Sequence, residues 1–241
     1  MTNAKLVVAG MPQSGTTALY NIINFILRFN NINVKNALYH PTLSWNNVIN
    51  ENGLKEYSGD ETLLVKEHHY IPYLCEEWAD LIFVMKRDIR YSISSRRKRN
   101  KALISKGKRL SGLHNYDPNT FEGFKKWCGY LIDDCFQSWV ESAKQKKTNI
   151  HLVDYKELKT NSRLLIKTVY KQLQTQYGDC LKLDEDKIVD AIGNLHKYDK
   201  NITFFSPTMI TNNGKSHDIE KHLDQQELDY IQNNFKDWIE E

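Results

Sequence analysis

The sequence predicts an α/β chain, a three-layer α/β/α arrangement in which helices cover both faces of a parallel sheet. Two observations carry that prediction. Short apolar runs at residues 6–9 and 81–85 alternate with longer stretches of helical period, and no repeat or low-complexity linker interrupts them. The chain also has 241 residues, 40% hydrophobic and 26% charged, which suits one domain spanning 1–241 with a sizeable core.

Taken in order, strand 5–9 carries the apolar run Leu6–Ala9 and reads as buried in a parallel sheet. Helix 16–29 follows from apolar residues at 19, 22, 23, 26 and 27, which share one helical face. Residues 33–38 form a further strand. Strand 62–66, helix 71–78, strand 80–86 and helix 90–99 continue the alternation, and a long helix covers 119–145. Strand 150–154 and helix 161–177 follow, and shorter helices near 184–194 and 224–239 close the chain. Residues 40–60 and 100–118 are irregular and long enough to be functional loops.

The segment Val8-Ala-Gly10-Met-Pro-Gln13-Ser14-Gly15-Thr16-Thr17 joins the first strand to the first helix. A strand, a Gly-bounded turn and a helix N-terminus gather backbone N–H groups at the positive end of the helix dipole, which makes an anion site. Gly10 and Gly15 let a phosphate or sulfate approach the backbone, and Ser14, Thr16 and Thr17 add hydroxyls. The spacing Gly10-x4-Gly15 matches a nucleoside-triphosphate loop, but Thr16 stands where that motif needs Lys. Without that cation a nucleoside triphosphatase loses its β/γ-phosphate clamp.

The loop resembles that of the sulfotransferase family, Gly-x-Pro-Lys/Arg-Ser-Gly-Thr-Thr, with Gln13 in place of the usual cation. The resemblance implies a P-loop NTPase-like sulfotransferase fold and 3′-phosphoadenosine 5′-phosphosulfate as donor, with 3′-phosphoadenosine 5′-phosphate as product and no metal. Gln13, Ser14, Gly15, Thr16 and Thr17 then contact the donor's phosphosulfate. Strand 80–86 runs into Arg87-Asp-Ile-Arg-Tyr-Ser-Ile-Ser-Ser95, where Arg87 and Ser95 stand at the family's spacing for the nucleotide 3′-phosphate. An Arg fork and a helix hydroxyl suit a dianionic phosphate. The competing reading of Arg87-Asp88 alone is a surface ion pair opening a basic helix.

Lys66-Glu67-His68-His69-Tyr70-Ile71-Pro72 resembles the family's Lys-x-His, apolar, Pro segment. The resemblance implies His68 as general base and Lys66 as a holder of the transferring group. Strand alternation puts both side chains on one side of the backbone, whereas His69 points the other way and reads as structural. Residues 150–158 resemble the family's fourth strand and Tyr-Glu-Asp-Leu turn, with Tyr155 near the adenine. Near the C-terminus, Gly214, Asp218, His222 and Leu223 agree with the family's Arg-Lys-Gly-x-x-Gly-Asp-Trp-Lys-x-His-Leu. Asn212 and Asn213 replace its basic pair, so Gly214 and Lys215 become the nucleotide contacts there.

Other classes fit less well. A net charge of +3 is too small to argue for nucleic acid, and no stretch approaches a membrane span or a signal peptide core. The resemblance, with a chain that begins at its first strand, implies a cytoplasmic enzyme acting on a small-molecule or glycan acceptor. The four cysteines have no zinc spacing and read as reduced structural residues, Cys128 and Cys135 sharing a buried helix face. The basic run 96–109 reads as a solvated face or as an electrostatic funnel for a polyanion. Two alternatives stay open: a P-loop small-molecule kinase, and a relative that binds the nucleotide without turnover because Gln13, Asn212 and Asn213 replace cations.

Overall fold

The computed structural model describes residues 3–37, 60–72, 77–107, 120–145, 149–198 and 222–239. Five strands make one parallel sheet: β1 Lys5–Ala9, β2 Val34–Ala37, β3 Thr62–Lys66, β4 Leu81–Lys86 and β5 Ile150–Asp154. Their order is β2-β3-β1-β4-β5. The sheet is parallel because an α-helix or long connection separates each strand from the next, returning the chain to the same edge. Strand order reverses around β1, so the carboxyl ends of β1 and β4 open the crevice where such sheets bind ligands.

Side chains alternate across the sheet and feed two cores. Val7, Ala9, Leu63, Val65, Ile82 and Val84 face one cluster, where Phe124, Trp127, Phe136 and Trp139 pack. Leu6, Val8, Leu64, Phe83 and Met85 face the other, filled by Leu19, Ile22, Ile23, Ile26, Leu165 and Val169. Apolar runs in central strands thus follow from burial on both faces. Helix α1, Thr16–Phe29, is buried at eleven positions, which include Asn21 and Asn24.

The other α-helices among the described residues are α2 Ile89–Ile104, α3 Phe121–Gly129, α4 Gln137–Lys144, α5 Tyr155–Thr160, α6 Ser162–Tyr177, α7 Glu185–Gly193 and α8 Gln225–Asn234. Most start at a side-chain cap that satisfies an orphan N–H. Thr120 accepts from Gly123, Asp154 from Lys156, Asn161 from Leu164 and Asp184 from Lys187. Asp224 and Glu227 form a capping box at α8.

The helix expected over 119–145 is broken. A π-helical turn at Tyr130–Asp134 separates α3 from α4, rotating the face that α4 offers to the core. The helix expected over 90–99 runs on through residue 104 into the stretch read as irregular. Residues 73–76 of the expected helix 71–78 lie outside the described residues, as do 40–59 and 108–118 of the two long loops. The basic run is partly structural: Arg97 donates to Glu227 at 2.6 Å and to the carbonyl of His222 at 2.7 Å, and Arg96 lies over Trp127 at 5.2 Å. Cys128 and Cys135 are buried in one core, whereas Cys180 is exposed. No described helix is long and apolar enough to cross a membrane.

Candidate active site

The loop after β1 is shaped by close approach. Gly10 has φ +141°, and a Cβ there would lie 2.7 Å from the carbonyl oxygen of Met85 on β4. Gly15 has φ +100° and is the N-cap of α1, where a Cβ would lie 2.5 Å from the ring of Tyr155. Gln13, between them, holds φ +68° with an ordinary side chain. No side chain caps the start of α1. Its first N–H groups are therefore presented to the crevice, the arrangement that favours an anion. Ser14 is fully buried, and its hydroxyl has no hydrogen-bond partner among the described residues. Such a group is costly unless a ligand or water meets it.

Two cations reach this loop from neighbouring strands. Lys66, at the end of β3 and 6% exposed, donates from Nζ to Thr17 Oγ1 at 2.7 Å. Arg87, just past β4, donates from Nη1 to the carbonyl of Gln13 at 2.5 Å. Its guanidinium lies 4.1 Å from the centroid of the Tyr155 ring, so Tyr155 is clasped between Arg87 and Gly15. Asp88 turns away and pairs with Arg90 at 2.6 Å. The Arg87-Asp88 dipeptide is therefore not an ion pair with itself.

His68 returns to the same loop. Its Nδ1 is 2.6 Å from the carbonyl oxygen of Gly10, and because a carbonyl only accepts, Nδ1 carries the proton. Nε2 then holds the lone pair. Burial, followed by the positive charge of Lys66, pushes the His68 pKa down to about 3 against the opposing bond to Gly10. The ring is neutral at physiological pH, as a proton acceptor must be. His69 is engaged elsewhere, with Nδ1 3.3 Å from Glu67 and Nε2 3.0 Å from the hydroxyl of Tyr130.

Of the residues singled out by sequence, Gln13, Ser14, Gly15, Thr16, Thr17, Lys66, His68, Arg87 and Tyr155 converge on one crevice. Ser95 sits half-buried in the second turn of α2, and no described contact joins it to Arg87. Gly214 and Lys215 lie outside the described residues. Two neighbours escaped the sequence reading. Glu67 is buried beneath the His68 turn, and Trp139 Nε1 donates to the carbonyl of His68 at 3.3 Å. Neither carries a motif; their roles arise only when β3 meets the helical layer. Among the described residues no group of three metal-ligating side chains gathers.

No curated protein sequence matches the chain. Among solved structures, it is similar to the crystal structure of mouse sulfotransferase SULT7A1 complexed with PAP, at TM-score 0.64 and 16% identity. That match covers 98% of this chain and 84% of the mouse chain, and at this identity it shows a shared fold. The family model described as the sulfotransferase domain matches residues 3–241, and the chain belongs to that sulfotransferase family.

Proposed function

We propose that the chain transfers a sulfuryl group from 3′-phosphoadenosine 5′-phosphosulfate to a hydroxyl or amine, leaving 3′-phosphoadenosine 5′-phosphate. The acceptor is a small molecule or a glycan. Family membership supports sulfuryl transfer as the reaction class. One observation carries the finer reading: the uncapped start of α1, with Lys66 and Arg87 both bonded to its loop. This cradle fits a phosphosulfate. Gly10 and Gly15 leave room at the backbone, and the buried Ser14 hydroxyl lacks a partner among the described residues.

In this reading Arg87 and Ser95 hold the nucleotide 3′-phosphate, and Tyr155 flanks the adenine. Gly214 and Lys215 belong to the same nucleotide subsite. Nε2 of His68 takes the acceptor's proton as the acceptor oxygen or nitrogen attacks sulfur in line. The sulfur–oxygen bond to the nucleotide phosphate breaks, and its electron pair leaves with the nucleotide. Lys66, the loop amides and the hydroxyls of Ser14, Thr16 and Thr17 meet the charge that develops there. Gln13 contributes an amide donor where the family carries a cation, and Lys66 covers that charge. An anionic donor also raises the depressed pKa of His68 towards a working range, since opposite charge favours the protonated ring.

Thermal shift tests the reading. Adenosine 3′,5′-bisphosphate stabilises the protein in proportion to the logarithm of its concentration over Kd, without metal. Stabilisation by ATP with magnesium and none by the bisphosphate supports a kinase instead.

A further inference from the structure

We propose that the buried carboxylate of Glu67 is a positioning residue for His68, and that His69 and Tyr130 complete its support. This rests on His68 acting as the base of the proposed reaction. The last rung of the β3 ladder is the bond from Glu67 N to Val8 O at 2.9 Å. Beyond it the chain leaves the sheet, and the next two N–H groups need acceptors. Glu67 supplies both from one atom: Oε1 accepts from His68 N at 2.7 Å and from His69 N at 2.8 Å. The same oxygen is 3.3 Å from His69 Nδ1, which must donate because a carboxylate only accepts. In the neutral His69 ring Nε2 is then the acceptor, and the Tyr130 hydroxyl, 3.0 Å away, donates to it.

The Glu67 side chain is 1% exposed, and Tyr130 is buried as the first residue of the π-helical turn. The chain Glu67–His69–Tyr130 therefore ties the end of β3 to the helical layer. Three of the described contacts hold His68. Its N–H is on Glu67, its carbonyl accepts from Trp139, and its Nδ1 donates to Gly10. This fixes the tautomer with the lone pair on Nε2 and fixes where Nε2 sits. Small displacements of a base are costly to rate, up to about 10²-fold for a misplacement of ~1 Å.

The test is nitrogen-15 NMR of the imidazoles in the full chain bound to adenosine 3′,5′-bisphosphate. Wild type, Glu67→Gln and Glu67→Ala are compared. The account predicts a single Nδ1-protonated tautomer of His68 in the wild type and in Glu67→Gln, which keeps an acceptor oxygen. In Glu67→Ala the tautomers mix and His68 titrates closer to its ordinary value, while nucleotide affinity stays within about twofold. With a cognate acceptor, kcat of Glu67→Ala falls by up to about 10²-fold with the donor KM unchanged, and Glu67→Gln recovers it. Should the alanine variant not fold, Glu67→Ser is read in the same way. An unchanged His68 tautomer and titration in the folded alanine or serine variant overturns the proposal. Failure of the nucleotide to stabilise the wild type defeats the sulfuryl-transfer reading instead, and the tautomer comparison, made without nucleotide, still decides the role of Glu67.

Discussion

Replacing Arg87 by Ala separates its structural work from its proposed binding work. The side chain is 6% exposed, bonded to the Gln13 carbonyl and stacked 4.1 Å from Tyr155. A charged hydrogen bond contributes about 1.5–3 kcal/mol and a desolvated cation–π contact about 0.5–2 kcal/mol. Without ligand, Arg87→Ala therefore loses roughly 2–5 kcal/mol, which lowers Tm by about 4–20 °C in a domain of this size. With ligand, loss of a charge-assisted pair to a 3′-phosphate costs a further ~1.5–3 kcal/mol, about tenfold or more in Kd. Calorimetric titration with adenosine 3′,5′-bisphosphate and with adenosine 5′-monophosphate reads this directly. The wild type prefers the bisphosphate, and Arg87→Ala erases the preference. Arg87→Lys falls between, because an ammonium keeps the charge and loses the planar fork. A variant with lowered Tm that keeps the full preference refutes the binding role and leaves Arg87 a clamp on the loop.

Other side chains of the same crevice respond to substitution in distinct ways. Gly15→Ala forces a side chain into φ +100° and into the Tyr155 ring, so nucleotide-induced stabilisation is lost even where the variant folds. The depressed His68 pKa means that its protonation opposes folding. The stability tied to the neutral ring is complete above the unfolded value of 6.5 and is lost as pH falls towards about 3. In urea titrations at successive pH values, the stability gap between wild type and His68→Asn narrows below pH ~6.5; a constant gap refutes this. Lys66→Ala severely lowers single-turnover transfer, whereas Gln13→Lys gains little. An indifferent Lys66→Ala beside a roughly tenfold gain in Gln13→Lys, about 1.4 kcal/mol, contradicts the assignment of that charge to Lys66.

The parts of this molecule legible in its sequence are those where local and tertiary demands agree. Strand β1 is apolar because both its faces are buried, and α1 shows helical period because one face meets the sheet. The glycines of the loop stand where positive φ and close backbone contact require them. The π-helical turn at Tyr130–Asp134 was not legible, since residues on either side of it keep a helical apolar pattern. The structural use of Arg97 in the basic run was hidden for a related reason. The partner of Arg97 on α2 is Glu227 on α8, 130 residues away, and tertiary packing brings the two together. Glu67 sits inside the Lys66-x-His68 motif, yet its role depends on amides orphaned by the chain leaving the sheet, which no spacing encodes.

The central claim is transfer of a sulfuryl group with His68 as base. Its most direct measurement follows sulfur-35 from labelled 3′-phosphoadenosine 5′-phosphosulfate onto a panel of hydroxyl and amine acceptors, with wild type and His68→Ala in parallel. The account predicts metal-independent labelling of an acceptor by the wild type and a loss of about 10²–10⁴-fold in His68→Ala, with nucleotide affinity nearly unchanged. Labelling that persists at the wild-type rate in His68→Ala contradicts the mechanism, and phosphoryl transfer from ATP with no sulfur labelling contradicts the function.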